Sequence, residues 1–451
     1  MVRAVVDAAT ASLPPLVDSV RYIQSSAKRS AHEILRESLW SGSFAVQPRC
    51  GVGGHAEMRA LLQELEATAG PDILTLTIDS HTRLKRFDSA LRSLNTAPET
   101  LNGYPLVTHG WQRGRDLNES VEAPLEIRHG SPDARRLFDV SIASGITSFE
   151  GGGISYNLPY SKDVALQYSL EAWQGVDRHC GDLATHGVIV DRELFGTLTA
   201  VLVPPSISLA VSVIEAVLAA REGVKCISIA YPQGGELYQD VAALRAIPIL
   251  AKRYLPGDVD VFPVLHEFMG AFPRQRSSSE ELILYGAFIA RVGGAAKLIT
   301  KTHQESLGIP DAQANAEGLR LAKLANSSLL HFFTVDDERT QRELRWIVDE
   351  VDELVGPLLA RPDLIGSVIE AFADGALDIP FSASRHARSA VIPRRDSSGA
   401  IRYHDSGALP FSATVRSRHR DLLDADNSVA RGSLAADLKR DISYFIDLLD
   451  D

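Results

Sequence analysis

Short apolar runs alternate with amphipathic helical patterns along most of this chain. Nine runs of β-branched and apolar residues, each followed by a polar or glycine-containing turn, predict strands between about residues 43 and 302. They are "SFAVQPRCG", "DILTLTIDS", "YPLVTHG", "PLEIRHG", "GITSFEGGG", "LTAVLVPPS", "VKCISIAYPQGG", "VDVFPVLHEF" and "AAKLITKT". Helical patterns such as "AEMRALLQELEATA", "DARRLFDVSIA" and "ELYQDVAALRAIPILAKRYL" lie between them. Strands that alternate with helices predict a parallel sheet.

Polar side chains recur at the carboxyl ends of these runs, namely Arg49, Asp79, His109, Arg128, Glu150, Tyr231, His266 and Lys301. In a (β/α)8 barrel these strand ends share one face, and that face carries the chemistry. Nine runs are one more than such a barrel needs, and "YPLVTHG" fits a strand least well. The repetition favours an α/β fold of the (β/α)8 TIM-barrel type over a doubly wound sheet.

The segments outside the strand–helix repeat predict the organisation of the rest of the chain. We expect an N-terminal helical segment over residues 1–42, a TIM-barrel catalytic domain over 43–311 and a helical segment over 312–373. Residues 374–451 form a C-terminal extension that is rich in Pro, Ser, Gly and Arg. Aromatic and apolar residues recur through it, which favours an ordered, partly irregular extension packed on the barrel over a disordered tail.

Composition limits the classes of partner and the compartment. The 451 residues are 45% hydrophobic and carry a formal net charge of -12, which predicts a globular protein that does not bind nucleic acid. Cys50, Cys180 and Cys226 are widely spaced with no C-x-x-C pair, which favours a reducing cytoplasm. The N-terminus lacks the apolar core of a signal peptide, and Pro204-Pro205 and Glu215 interrupt the most apolar stretch, so we expect no membrane span.

Several short motifs suggest rival functions. "GVGGHA" (51–56) matches the G-x-G-x-x-G/A dinucleotide fingerprint, although Arg49 precedes it where a buried apolar strand end is expected, and a nicotinamide-dependent oxidoreductase remains an alternative. "DSHTRL" resembles the D-x-H-x-x-G signature of cobalt-ligating histidines, but Leu84 replaces the glycine, so His81 is interpreted as a strand-end residue. "HEFMG" lacks the second histidine of an H-E-x-x-H zinc site. We therefore predict no metal ligand in this chain.

A set of charged and aromatic residues remains as a candidate site. In the barrel, Arg49, Arg83 and Arg128 converge near the rim, together with Glu150, Tyr156 and Tyr160 of "EGGGISYNLPYSKD", where glycines favour a sharp turn or close approach of another molecule. Guanidinium groups bind carboxylates through paired hydrogen bonds, and a carboxylate suits an ammonium group. The set fits an amino dicarboxylic acid. The sequence offers no activated nucleophile or metal cluster, which points to a cofactor for the demanding chemistry.

Longer motifs carry a resemblance to a known family. These are "LNGYPLVTHG", "EIRHG" with "PDARRL", "EGGGISYNLPYSK", "LVPPSIS", "KTHQESLGIP" and "GALDIPFSASRHA" with "PRRDSSGAIRYHDSGALPF". Over about residues 43–415 the chain closely resembles the large (epsilon) subunit of glutamate mutase, also called methylaspartate mutase.

The resemblance implies an adenosylcobalamin-dependent isomerase that interconverts L-glutamate and (2S,3S)-3-methylaspartate by radical rearrangement. It also implies a TIM barrel whose mouth is capped by a separate small (sigma) subunit, which carries the cobalt-ligating histidine, in an assembly of two large and two small subunits. The histidine on the partner would account for the incomplete cobalt motif in this chain.

The resemblance also assigns roles residue by residue. Substrate contacts fall on Arg49, Arg83, Arg128, His129, Glu150, Tyr156 and Tyr160, with the arginines around the carboxylates and Glu150 as the ammonium partner. Cofactor contacts fall on Gly51, Asn102, Pro159, Phe272, Lys301, Glu305 and Ile309, of which Lys301 and Glu305 would hold the adenosine ribose.

Two carboxylates depart from the pattern of the family. Glu126 and Glu267 stand where glutamine is expected, next to the "RHG" and "FMG" motifs. An extra carboxylate near the arginines predicts weaker binding of a dicarboxylate. A paralogue with a related substrate, or one that binds without catalysis, is therefore the alternative to a glutamate mutase.

Overall fold

Eight parallel strands form a single sheet that curls into a nearly closed barrel. The computed structural model describes residues 12–197, 202–306, 308–330, 333–425 and 433–449. The sheet order is β1-β8-β7-β6-β5-β4-β3-β2, and the Val46 and Cys50 carbonyls accept hydrogen bonds from the Asp72 and Thr77 amides, which joins β1 to β2. The strands are β1 (Ala45–Gln47), β2 (Leu74–Thr77), β3 (Leu125–Arg128), β4 (Ser148–Glu150), β5 (Asp191–Leu194), β6 (Cys226–Pro232), β7 (Asp260–His266) and β8 (Lys297–Ile299). The prediction of a (β/α)8 barrel is confirmed.

Helices follow every barrel strand and continue into both terminal segments, as predicted. They are α1 (Leu16–Ser25), α2 (Ala31–Ser41), α3 (His55–Ala69), α4 (Ser80–Arg83), α5 (Phe87–Thr96), α6 (Leu106–His109), α7 (Trp111–Glu119), α8 (Arg135–Ala143), α9 (Leu166–Thr185), α10 (Pro205–Arg221), α11 (Leu237–Tyr254), α12 (Arg276–Gly293), α13 (Ala312–Leu324), α14 (Asp337–Leu359), α15 (Leu364–Asp374), α16 (Ala413–Asp424), α17 (Leu434–Ile442) and α18 (Tyr444–Leu449). Two 3-10 turns, Pro98–Thr100 and Ser328–Leu330, complete the helical elements. Across the described ranges, no helix combines the length and the apolar character that a membrane crossing would require.

The structure corrects one of the nine predicted strands, leaves part of a second outside the described residues, and shows one strand that was not predicted. "YPLVTHG" is the short helix α6, preceded by a single bridge between Tyr104 and Ile78, so His109 is not a strand-end residue. Part of "LTAVLVPPS", residues 198–201, lies outside the described residues, and α10 begins at Pro205. The true fifth strand is β5, which reads "DREL" and was missed because it contains three charged residues.

The charged residues of β5 face two different environments. Asp191 and Glu193 point into the barrel, where both lie near the Lys297 ammonium, whereas Arg192 points outward and pairs with Asp177 of α9. All three β5 side chains are fully buried. Buried charges persist in a protein interior only when they are paired. The β5 pattern therefore depends on charged residues elsewhere in the chain, which hydropathy does not register.

The two terminal segments cover the barrel from different sides. Ala31 and Leu35 of α2 pack in an apolar cluster with Ile73, Phe262 and Ala296, which precede or begin barrel strands, so the N-terminal helices close the amino end. A two-stranded antiparallel hairpin, β9 (Ile392–Arg395) and β10 (Ile401–Asp405), belongs to the C-terminal extension. Arg395 of β9 donates a 2.8 Å hydrogen bond to the Gly234 carbonyl, just past β6, and so ties the extension to the barrel mouth.

Candidate active site

Arg128, at the end of β3, is the centre of a buried charge cluster in the barrel mouth. Its Nη1 donates to Glu126 Oε1 at 2.8 Å and to Glu193 Oε1 at 2.9 Å, and its Nη2 bonds Glu150. Arg128 is 4% exposed, and its guanidinium also lies 5.3 Å from the centre of the Phe195 ring. The arginine that the sequence assigned to a substrate carboxylate is therefore bound by three of the protein's own carboxylates.

Below Arg128, Lys297 of β8 completes this cluster. Its Nζ lies 2.5 Å from Glu126 and 2.6 Å from Glu193, with Asp191 at 3.9 Å, and every one of these side chains is fully buried. Burial opposes ionisation of Glu126, but the charges of Lys297 and Arg128 outweigh it and lower its pKa to about 2. The extra carboxylate at position 126 is thus paired inside the barrel and leaves no free negative charge for a substrate to meet.

Glu150 is the carboxyl group of the cluster that holds its proton most readily. Two cations, Arg128 and Lys297, face four carboxyl groups in the barrel interior. Burial raises the pKa of Glu150 to about 8, and the charges of Glu193 and Glu126 add to that effect while Arg128 opposes it. An incoming cation would favour the ionised form of Glu150.

Aromatic rings form the wall next to Glu150. His129 stacks on Trp173, with centroids 5.7 Å apart, and Tyr156 meets His129 edge-on at 4.9 Å. His129 Nδ1 accepts from the Ser131 amide, so Nε2 carries the ring proton, and burial holds the pKa of His129 well below its usual range. Neither His129 Nε2 nor the Tyr156 hydroxyl makes a hydrogen bond of good geometry among the residues described, although both groups lie near Glu150, the Tyr156 hydroxyl near its carboxyl group and His129 near its backbone. Both are buried polar groups that a ligand could satisfy.

Arg49 and Arg83 lie on the open side of the site and make few contacts. Arg83, in α4, donates only from Nε, to the Ile78 carbonyl at 2.7 Å, and Arg49 makes no side-chain hydrogen bond within the described ranges. Tyr160 is 43% exposed over the whole residue, but its hydroxyl end lies inside the site. Burial of that hydroxyl and the charge of Glu150 raise the pKa of Tyr160 to about 12, against the opposing charges of Arg49, Arg83 and Arg128. The charges of all three arginines therefore act on the Tyr160 hydroxyl.

The glycine triplet after β4 is required by packing. A Cβ on Gly151 would lie 2.5 Å from the Tyr156 ring, and its φ of +115° excludes most other residues. A Cβ on Gly152 would lie 2.3 Å from the Glu215 carboxyl group, and one on Gly153 would lie 2.9 Å from the Leu170 backbone. The triplet thus makes the sharp turn that follows Glu150, pressed between α9 and α10.

Lys301 and Glu305, which follow β8, form an ion pair of 2.6 Å at the mouth. Burial lowers the pKa of Lys301 to about 8, with the charge of Arg49 adding to the effect and Glu305 opposing it. The Lys301 amide donates to Glu267, whose Oε1 has no partner in the described part of the chain. Glu267 therefore supports the backbone at Lys301, and burial raises its pKa well above the usual range.

The other residues predicted to contact a cofactor have mixed environments. Ile309 is 66% exposed and Asn102 is exposed, with its Oδ1 accepting from the Ser80 amide, whereas Gly51 and Pro159 are buried. Phe272 is 4% exposed and packs in an apolar cluster with Phe268, Leu282 and Phe445, so its side chain is already covered by protein.

Sequence reasoning missed several members of the site. Glu193 was hidden in the unrecognised strand β5, and Lys297 begins a run that was noted only for Lys301. His266, at the end of β7, was noted as a polar strand-end residue and as part of an incomplete zinc motif, but it was not assigned to the site. Its buried Nε2 has no partner among the described residues, and burial, with Arg128 and Arg49, holds its pKa well below the usual range. A charged residue in an otherwise apolar run was the signal available for Glu193 and Lys297.

The glycines of "GVGGHA" pack against protein rather than around a phosphate site. A Cβ on Gly51 would lie 2.7 Å from the Thr77 carbonyl oxygen, and one on Gly53 would lie 2.4 Å from the Pro98 carbonyl oxygen. His109 donates from Nε2 to the Gly53 carbonyl at 2.9 Å and accepts from Arg113 at Nδ1. These contacts account for the glycines without a dinucleotide, in a barrel rather than a doubly wound sheet.

Comparisons with known proteins agree on one family. A family model described as methylaspartate mutase E chain matches residues 26–441. The glutamate mutase epsilon subunit of Desulfitobacterium hafniense is 40% identical over 402 residues, which cover 86% of this chain and 82% of that protein. The epsilon subunits of Halobacterium salinarum and Escherichia coli O157:H7 are 41% and 39% identical, covering 84% and 90% of this chain and 80% and 86% of their own lengths.

Proposed function

This chain belongs to the methylaspartate mutase E chain family, and from that premise we propose how its barrel mouth works. The protein is an isomerase, the epsilon subunit of a glutamate mutase, which interconverts glutamate and methylaspartate. The name epsilon implies a multi-subunit enzyme with a partner subunit. The proposal concerns the residues, cofactor and partner by which the reaction proceeds.

The observation that supports the proposed substrate site is that Arg49, Arg83 and Arg128 stand at the carboxyl ends of the neighbouring strands β1, β2 and β3, with Arg128 bonded to Glu150. Arg49 and Arg83 have guanidinium donors left over, so they bind the carboxylates of L-glutamate. The Tyr156 hydroxyl and His129 Nε2 add neutral hydrogen bonds. Glu150 binds the ammonium group of the substrate.

Substrate binding exchanges partners within the charge cluster. Glu150 is bonded to Arg128 in the structure, and a substrate carboxylate takes its place on that guanidinium. Glu150 then releases its proton to solvent and accepts the hydrogen bond from the substrate ammonium. Glu126 and Glu193 keep Arg128 in place during this exchange, because both bond its other nitrogen. Binding therefore needs no large movement of β3.

Adenosylcobalamin is the proposed cofactor, and the residues at the mouth fit it. When bound, it supplies the carbon radical that starts the rearrangement. Lys301 and Glu305 offer a donor and an acceptor 2.6 Å apart, which suits the two hydroxyl groups of a ribose. Ile309 offers an exposed apolar side chain beyond them. The buried aromatic wall around Glu150 keeps water away from the reacting substrate.

Four exposed apolar or aromatic side chains surround the mouth and suit a partner protein. We call Leu84, Tyr160, Ile309 and Phe381 the apolar rim; their exposed fractions are 54%, 43%, 66% and 47%. The first three follow β2, β4 and β8, and Phe381 adjoins Ser382, which donates to the Leu158 carbonyl. A cobalamin-binding sigma subunit that docks here would cover the rim, in an assembly of two large and two small subunits.

The proposed setting is the cytoplasm, since Cys50, Cys180 and Cys226 are buried free thiols.

A reconstitution tests the proposed function. The chain is mixed, without oxygen, with a cobalamin-binding small subunit of the family, adenosylcobalamin and L-glutamate, and 3-methylaspartate is followed by mass spectrometry. The proposal predicts product that disappears when either chain or the cofactor is omitted. A stable complex that forms no product would contradict it and favour a paralogue with another substrate or none.

A further inference from the structure

Two buried charged side chains outside the substrate site hold the turn that carries Glu150 and Tyr156. We propose that Arg192 and Glu215 are positioning residues, which set the orientation of the ammonium partner Glu150 without touching the substrate. This inference rests on the proposed role of Glu150 and concerns residues to which that role gives no part.

Arg192 fixes the chain on both sides of Glu150. It lies on β5 and points out of the barrel, and its Nη1 donates to the Phe149 carbonyl at 2.6 Å and its Nη2 to the Gly151 carbonyl at 2.9 Å. Its Nε is bound to Asp177 at 2.9 Å, and the guanidinium lies 4.8 Å from the centre of the Trp173 ring. The guanidinium plane is thus fixed by α9. It fixes in turn the peptide group that precedes Glu150 and the one that follows Gly151.

Glu215 fixes the far end of the same turn. It lies on α10, and its Oε1 accepts from the Ile154 amide at 2.7 Å, the Ser155 amide at 2.9 Å and the Ser155 hydroxyl at 3.2 Å. Gly152 leaves space for this carboxyl group, because a Cβ there would overlap it. The next residue along the chain is Tyr156. The segment from Phe149 to Ser155 is therefore held at four peptide groups by two side chains.

Arg192 and Glu215 have a positioning role because they hold the backbone of the turn that carries Glu150. Glu150 forms its ion pair with Arg128, and in the proposed function that partner is exchanged when substrate binds. The backbone must then hold Glu150 in place, and in the turn the backbone is held by Arg192 and Glu215. Misplacement of a binding group by about 1 Å can cost on the order of 100-fold in rate.

The test compares two conservative substitutions in the complete enzyme. Glu215→Gln keeps the length of the side chain and an acceptor oxygen but removes the charge, whereas Glu215→Asp keeps the charge and shortens the reach. A positioning role predicts that Glu215→Asp raises the KM for L-glutamate about tenfold or more and that Glu215→Gln raises it less. The inhibition constant of glutarate, a dicarboxylate without the ammonium group, stays within about twofold in both variants.

Three outcomes would overturn the proposal. The first is a larger effect of Glu215→Gln than of Glu215→Asp, which would assign the role to charge. The second is a parallel change for L-glutamate and glutarate, and the third is an unchanged KM in folded Glu215→Asp. Glu350→Gln serves as the matched control, since Glu350 is a buried carboxyl group that bonds Ser206 and His419 of other elements. Glu350→Gln is expected to lower the melting temperature without changing the KM for L-glutamate relative to the inhibition constant of glutarate.

Arg192→Lys gives a second reading if Glu215→Asp does not fold. One ammonium group cannot bond both the Phe149 and the Gly151 carbonyls as the planar guanidinium does. We therefore expect Arg192→Lys to raise the KM for L-glutamate while the inhibition constant of glutarate changes little. Equal changes for the two ligands would again contradict the proposal. An unsubstituted enzyme without turnover would contradict the proposed function itself, which keeps the two failures distinct.

Discussion

At the scale of single residues, this site depends on an excess of buried carboxyl groups over cations. Arg128 and Lys297 are shared among Glu126, Glu150, Asp191 and Glu193, all at most 1% exposed. Each additional carboxyl group makes ionisation of its neighbours harder. Burial and the neighbouring carboxylates raise the pKa of Glu150, the carboxyl group that we propose binds the substrate ammonium.

This arrangement predicts a pH dependence for substrate capture. In the free enzyme burial raises the pKa of Glu150 to about 8, so Glu150 is mostly protonated at pH 7. If the carboxylate binds the ammonium group, kcat/KM for L-glutamate rises as pH increases from about 6 to about 8 and then levels. Lys301, with a pKa of about 8, loses its charge over the same range, and its effect has the opposite sign. A pH profile of kcat/KM for the reconstituted enzyme measures the combined effect of Glu150 and Lys301.

The Glu150→Gln variant separates the two contributions. It keeps the size of the side chain but cannot ionise, so the rising limb that is due to Glu150 disappears. The effects of Lys301 and of Glu215, whose pKa burial raises to about 7, remain. A rising limb of the same midpoint in Glu150→Gln would assign it to another group.

Lys297 is predicted to stabilise the fold through the same cluster. Lys297→Met leaves Glu126 and Glu193 buried with only Arg128 nearby, and breaking a buried pair costs about 3–5 kcal/mol. Denaturant unfolding measures the loss. Lys225→Met, which removes an exposed lysine paired with Asp258, is the control and is expected to change little. Equal stability of the two variants would contradict the pairing described for Lys297.

At the scale of elements, the turn after β4 is the most constrained segment of the site. The sequence showed that three glycines precede the two tyrosines, but it could not show whether the ligand or the protein crowds them. The structure places Trp173, Glu215 and Leu170 against the three positions. These residues come from α9 and α10, which lie far along the chain, so local sequence carried no sign of them.

Gly152→Ala is predicted to disturb both stability and activity. The new Cβ would lie 2.3 Å from the Glu215 carboxyl group, and overpacking of this kind costs about 1–3 kcal/mol. Gly257→Ala is the matched control, because a Cβ at Gly257 meets nothing within 4 Å. Unfolding curves and KM for L-glutamate are measured for both. A Gly152→Ala enzyme that matches the control in both quantities would contradict the packing described for the turn.

The sequence predicted the barrel strands that are buried because they are apolar, but not the strand that is buried because its charges are paired. β6 and β7 are largely apolar and were predicted, whereas β5 was missed because Asp191, Arg192 and Glu193 are buried by pairing. "YPLVTHG" has the apolar residues of a strand but forms α6, whose four residues are all buried. Hydropathy describes the tendency of a residue to leave water. It does not predict which oppositely charged residue, distant in sequence, will pair with a buried charge.

At the scale of the whole molecule, the two ends of the barrel have different tasks. The amino end is closed by α2, while the carboxyl end is left open with the apolar rim around it. The family resemblance predicted this open face and its partner, because long motifs carry information about an assembly that a single chain's periodicity lacks. The departure at Glu126 needed the structure, since its pairing with Lys297 spans the barrel.

The apolar rim is predicted to govern association with the small subunit. Ile309→Asp places a charge on a surface that becomes buried, so the apparent dissociation constant of the complex rises about tenfold or more. Titration of activity with the small subunit measures it. Leu329→Asp is the control; Leu329 is 81% exposed beside Asn326, which bonds Phe44 at the amino end of β1. Equal weakening by both variants would contradict docking at the rim.

The most direct test of the substrate site is the rate of 3-methylaspartate formation by the Arg49→Ala plus Arg83→Ala double variant in the reconstituted enzyme. These arginines make a single side-chain hydrogen bond between them in the described residues, so the fold should persist, unlike with Arg128. Loss of two charged hydrogen-bonding groups predicts a fall in kcat/KM of at least about 100-fold. The surface pair Arg59→Ala plus Arg178→Ala is the control and should retain activity. Turnover by the Arg49 and Arg83 variant equal to that of the control would contradict the account.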